Sequence, residues 1–193
     1  MSEEEAERML LDLKEKAELM VDLAYSSLIY NNKELAEEVY ELEEHIDKLN
    51  DELQKLAIED AKKGELNLNE ALAIIKLATS TEMIADAARD IADVQLREIE
   101  LHPILKESLL ETNEIFLRVT ISPNSILKNK KLGELHLASE TGMWVIAIKR
   151  GDKWIYDPGK DVCLKENDVV FVKGNKEGKE HFLALAEGRE KEL

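Results

Sequence analysis

The 193-residue chain is 44% hydrophobic and 35% charged, and no apolar run approaches the ~20 residues that cross a bilayer. Its net charge of −16 divides unevenly: the first 112 residues carry −17, with 12 basic against 29 acidic, while residues 113–193 carry +1, with 14 against 13. Such a field repels nucleic acid and favours cations or basic partners, and the single cysteine, Cys163, excludes an internal disulfide or a thiolate metal cluster.

The acidic, helix-prone start from Met1 to Glu7 does not read as a signal or transit peptide. A helix is predicted from Glu3 to Tyr30, with Leu10, Leu13, Ala17, Met20 and Ala24 at steps of three and four. Asn31, with Glu34 three residues on, is the expected cap of a second helix. Its seam is Leu35, Val39, Leu42, Ile46, Leu49, Leu53 and Leu56, and Gly64 ends it. Asn67 with Glu70 starts a third helix, whose expected buried face is Ile74, Leu77, Ile84, Ala88 and Ile91. His102-Pro103 is the expected break, followed by a short connecting helix over Ile104 to Glu111. These elements make an up-down-up three-helix bundle.

Glycine and proline then change the pattern. Residues 1–102 hold no proline and one glycine, whereas the rest holds three prolines and seven glycines. Glu114 to Ile121 alternates Ile115, Leu117, Val119 and Ile121 with Phe116, Arg118 and Thr120, the two-residue period of a strand. A short helix near Lys130 to Leu137 follows, then strands at Met143–Ile148, Lys153–Tyr156 and Asp168–Val172, then an amphipathic helix at Lys179–Glu187. The fold class is therefore α plus α+β: a helical bundle over residues 1–112 and a β-α-β-β-β-α module over 113–193.

The catalytic inventory is nearly empty. The phosphate-binding loops G-x-G-x-x-G and G-x-x-x-x-G-K-[ST] are absent, as are G-x-S-x-G and H-E-x-x-H. His45, His102, His136 and His181 show no metal-ligand spacing, and Cys163 has no base beside it in sequence. Glu43 and Asp47 form E-x-x-x-D on the second helix, Glu82 and Asp86 repeat it on the third, and Asp90 and Asp93 continue the set. Oxygens one turn apart on two helices are candidate ligands for a divalent or trivalent metal ion. On a helical wheel, however, Glu82, Asp86, Asp90 and Asp93 lie opposite Ile84, Ala88 and Ile91, which reads equally as a solvated face. Lys128, Lys130 and Lys131 could meet an anion or serve only solubility, and Trp144, Trp154 and Tyr156 read as core or interface.

Residues 113–187 resemble the TrkA-C domain, the C-terminal half of the RCK regulators of potassium transport. The resemblance lies in Ser125-Ile126, in Lys131-Leu132-Gly133-Glu134-Leu135, in Val145 through Gly151, in Pro158 with Asp161, and in Asn167 through Gly174. The chain departs from that pattern at Asn129 and Asn167, where the family often has glycine. Residues 8–100 resemble one three-helix half of a PhoU-like protein, through Leu35 to Val39, Glu43 to Asp47, Glu82 to Asp86 and Ile91 to Asp93. Both E-x-x-x-D pairs fall where that family has metal-binding carboxylates on the outside of the bundle.

The resemblance implies a cytoplasmic, non-enzymatic regulatory subunit that senses a small ligand. It would act at the cytosolic face of a channel or transporter for potassium or another monovalent cation, and so be peripheral to the membrane through that partner. It also implies a homodimer, since a PhoU half has three of six helices and TrkA-C modules pair. No NAD is expected, because the Rossmann half that usually precedes TrkA-C is missing, and no nucleic acid is expected. The rivals are a PhoU-type regulator of phosphate transport, a carboxylate-bridged metalloenzyme and a structural dimerisation adaptor. The ligand-binding residues stay unknown at this level.

Overall fold

The computed structural model describes residues 3–104, 114–151 and 153–192. The chain divides into two compact units, Met1–Leu109 and Leu110–Leu193.

The first unit is a bundle of α1 (Glu3–Ile29), α2 (Lys33–Lys63) and α3 (Leu68–Leu96), each packed on the other two. Leu13, Met20 and Leu23 of α1 and Leu35, Val39, Leu42, Ile46 and Leu53 of α2 are fully buried in its core. Fully burying side chains of this size contributes about 1.5–3 kcal/mol each before the entropy of ordering them is counted. The α2 cap is Asn32, not Asn31 as expected: the Asn32 side chain accepts from the Leu35 N–H at 3.3 Å. Asn31 is used otherwise. It turns the chain at φ 50, and its Oδ1 accepts from Gln95 of α3 at 3.1 Å. Gly64 ends α2 at φ 76, a left-handed position that costs glycine nothing. Asn67 and Glu70 form the expected reciprocal capping box, with bonds of 2.8–3.0 Å.

Helix α3 departs from the expected pattern in two ways. It stops at Leu96, six residues before His102-Pro103, because Glu98 turns left-handed at φ 55. Its buried face is also not the expected one. Ala71, Ala78, Ala85 and Ala92, at seven-residue spacing, are the buried stripe together with Ala88, while Leu77 and Ile84 stay 57% and 50% exposed. Space is the reason: α3 lies against two helices already filled with leucine and methionine, and small side chains let the backbones approach. The expected connecting helix lies mostly outside the described residues, which resume at Glu114.

The second unit is a four-stranded antiparallel sheet in the order β1-β4-β2-β3, with β1 Glu114–Thr120, β2 Met143–Arg150, β3 Lys153–Tyr156 and β4 Val169–Asn175. Between β1 and β2 stand two short helices, α4 (Leu132–Leu135) and α5 (Leu137–Thr141), and α6 (Lys179–Glu187) closes the unit. One sheet face, with Ile115, Val119, Met143, Ile148, Val170 and Val172, packs on Phe182 and Leu185 of α6 and on Leu127, Leu135, Leu137 and Leu164. Asn129 and Asn167, which stand where glycine is frequent in the resembling family, both take left-handed φ of 63 and 65. Asparagine is the side chain besides glycine that most readily occupies that region. The turns keep their shape without glycine.

Candidate functional site

Two clusters of functional side chains stand out, one in each unit. In the bundle, Arg89 of α3 reaches across to Glu43 of α2, ion-paired and part-buried, and lies 3.4 Å from Asp86 and 4.0 Å from Asp90. Two helical turns away along α2, Asn50 donates to Glu82 at 2.6 Å. Burial, then the Asp47 charge, push the Glu43 carboxyl above its ordinary value, against the pull of Arg89. Glu82 is pushed up by burial first and then by Asp47 and Asp86, with the Asn50 bond opposing. Four carboxylates that the sequence put forward as ligands, Glu43, Asp47, Glu82 and Asp86, are therefore electrostatically one group.

The stripe is not the fully solvated face that the helical wheel suggested. Glu43 is buried and Glu82, Asp86 and Asp93 are half-buried, because this flank of α3 turns toward α2. Asp90 and Asp93 separate from the rest. Asp90 is exposed, and Asp93 accepts from Tyr40 at 3.0 Å and pairs with Arg97 at 2.5 Å. Hard carboxylate oxygens suit a divalent or trivalent ion, but among the described residues no three His, Cys, Asp or Glu side chains converge as a ligand set. Arg89 is the residue that sequence reasoning missed. Its partner Glu43 lies 46 positions away, so no local spacing announces the pair.

In the second unit the sheet face opposite α6 is aromatic. Trp154 stacks on Tyr156 (5.7 Å between centroids) and on Phe171 (5.1 Å), and Phe171 touches Phe116 at 6.2 Å. The register places Trp144 beside Lys173, Arg118 beside Phe171 and Lys149 beside Trp154, with the Lys149 ammonium 5.5 Å from the Trp154 ring centre. Trp144 is 41% exposed. Phe116 and Phe171 are buried and Trp154, Arg118, Lys149 and Lys173 half-buried, so the face presents one exposed ring with cations beside it, a surface that suits a flat anionic ligand or a partner. Period-two alternation in the sequence contained this face, but which strands were neighbours was needed to assemble it.

The other sequence candidates resolve into ordinary structure. Lys128 pairs with Glu166 at 3.3 Å and Lys131 with Asp161 at 3.1 Å, so two lysines of the basic cluster already have acidic neighbours. Cys163 is half-buried, and its carbonyl accepts from Arg150. Arg150 in turn grips the buried Asp168 with both arms, at 2.8 and 2.7 Å, while Asp168 also accepts from the Lys165 N–H at 2.7 Å. Among the described residues, no helix is long and apolar enough to cross a membrane.

The PhoU domain model matches residues 10–94 and the TrkA-C domain model matches residues 116–186. Over 104 residues the chain is 31% identical to potassium channel protein 1 of Methanocaldococcus jannaschii, a match covering 52% of this chain and 31% of that one. The chain thus spans about a third of that relative's length. Among solved structures it is similar to the RCK_C domain dimer of S. agalactiae BusR in complex with c-di-AMP (23% identity, 40% of this chain and 96% of that one, TM-score 0.37). It is also similar to the RCK C domain of the potassium transport protein KtrA in complex with cyclic diadenosine monophosphate (20% identity, 41% and 91%, TM-score 0.34).

Proposed function

From a chain that carries a PhoU domain followed by a TrkA-C domain, we propose a regulatory subunit that senses a small ligand and adjusts a channel or transporter for potassium or another monovalent cation. The TrkA-C match over residues 116–186 carries this reading. The 31% identity to a relative named as a potassium channel protein supports the choice of transported ion. The subunit works as a homodimer at the cytosolic face of its transporter. The sensed ligand is an anion with a planar ring, a reading supported by the exposed Trp144 ring with Lys173 beside it and by Arg118 and Lys149 on the same sheet face. The rival regulator of phosphate transport shares the bundle but has no use for an aromatic face.

Calorimetric titration of the full chain with a cyclic dinucleotide, ATP, potassium ion and inorganic phosphate, at fixed ionic strength, separates the two. A nucleotide should bind and quench tryptophan fluorescence, and Trp144→Ala should weaken it about tenfold, the ~1–3 kcal/mol that a base stacked on an aromatic side chain contributes. Binding of phosphate alone, with fluorescence unchanged, would replace this reading by the phosphate one.

A further inference from the structure

Helix α3 has two apolar seams, and the bundle uses one. The inner seam is the alanine stripe Ala71, Ala78, Ala85 and Ala92. On the outer side Ala73, Leu77, Ser80, Ile84, Ala87 and Ile91 follow one another at steps of 4-3-4-3-4, the spacing of a coiled-coil seam. The first five of these are exposed, with Leu77 at 57% and Ile84 at 50%, and Met83 on the flank is 67% exposed. A helix that is apolar on two separate flanks is normally covered on both. Beside Ile84 a groove of about 470 Å³ runs between α1 and α3, so the uncovered face continues toward α1.

We propose that this seam docks antiparallel on the same seam of a second copy of the chain. The occupant follows from the order of residues. Large and small side chains alternate, so in an antiparallel pair Leu77 lies opposite Ala87 of the second copy, Ile84 opposite Ser80, and Ile91 opposite Ala73. Every large residue meets a small one, three times on each side of a two-fold axis, as an isologous interface requires. The flanking charges choose the register. In this alignment the exposed Lys76 faces the exposed Asp90 of the second copy, twice by symmetry, and Met83 faces its own counterpart near the axis. Sliding the pair by one heptad sets Lys76 against Arg97, a like-charge contact. The Ala73–Ile91 stretch is about 27 Å long at 1.5 Å per residue, a long helix contact for a domain of this size. The inference rests on the homodimer of the proposed function and says where its subunits meet.

The test uses the full chain in a Cys163→Ser background, because Cys163 is the one native thiol. Met83→Cys is treated at low micromolar concentration with a short bis-maleimide, and Lys55→Cys on the exposed side of α2 is the control. Met83→Cys should give at least ten times more covalent dimer than the control. Lys76→Asp should lower that yield several-fold, and adding Asp90→Lys should restore it. Sedimentation should give twice the 22.0 kDa chain mass. A single-chain mass overturns both the homodimer and the seam. A dimer mass with Met83→Cys cross-linking no better than the control overturns the seam alone and leaves the subunits meeting elsewhere. A yield indifferent to the charge exchange overturns the antiparallel register.

Discussion

Two glutamates on the bundle hold a proton more tightly than they would in water. Glu43 and Glu82 are raised by burial and by the neighbouring Asp47 and Asp86 charges, so the folded chain binds protons that the unfolded chain has released. Their contribution to stability is present below the ordinary value of 4.5 and is lost as pH rises through the folded values above it. Asp47→Asn with Asp86→Asn removes the like charges. Denaturation followed between pH 4.5 and neutrality should therefore show a flatter profile than the parent, with the variant equally stable or more stable at pH 7. The same variant tests a metal ion at this group, where Arg89 is the one cation paired to Glu43 and Asp86 among the described residues. We propose that a divalent ion raises the melting temperature of the parent by mass action and that the variant loses the rise. Equal rises in both would mean that any metal ion binds away from this group.

The helices and strands themselves were largely legible, and the reasons are local. The Asn67 capping box, the Gly64 stop and the alternation of β1 are signals carried by residues within four positions of one another. What α3 buries was not legible. Hydrophobicity favours Leu77 and Ile84 for the core, but along the middle of α3 the side buried against α1 and α2 is alanine, and the room there is a property of three helices together. Placement of Asn31 failed for a similar reason, since its side chain serves Gln95 on α3 rather than its own helix. The test at this scale is volume. Ala85→Leu, at 1% exposure, should destabilise the bundle by about 1–3 kcal/mol through overpacking, whereas Ala87→Leu on the exposed side should leave the isolated subunit's stability within about 0.5 kcal/mol. Chemical denaturation measures both.

At the scale of the whole chain the two compact units have separate cores, one closed by α3 and the other by α6. Arg150→Ala strips the partner from Asp168, which is 1% exposed, and leaving a buried charge without its counter-ion costs about 3–5 kcal/mol. Differential scanning calorimetry should show that loss in one transition only, with the bundle transition in place. Ala85→Leu should move the other transition. A single transition displaced by both substitutions would mean that the units unfold as one.

The strand order has a consequence for how the chain comes into being. Strand β4, Val169–Asn175, lies between β1 and β2 and is the last strand in sequence, so β1 has no hydrogen-bonded neighbour until residues near the C-terminus have been synthesised. The bundle builds its core from its own three helices. During translation a finished N-terminal unit should therefore trail an unpaired β1 and a lone β2–β3 hairpin, the Phe116 and Trp144 rings among them, until β4 is free to enter the gap. Chains arrested before Val169 should resist protease over residues 3–96 and be cut throughout 114–168, and release of the last twenty-five residues should convert the second half in one step.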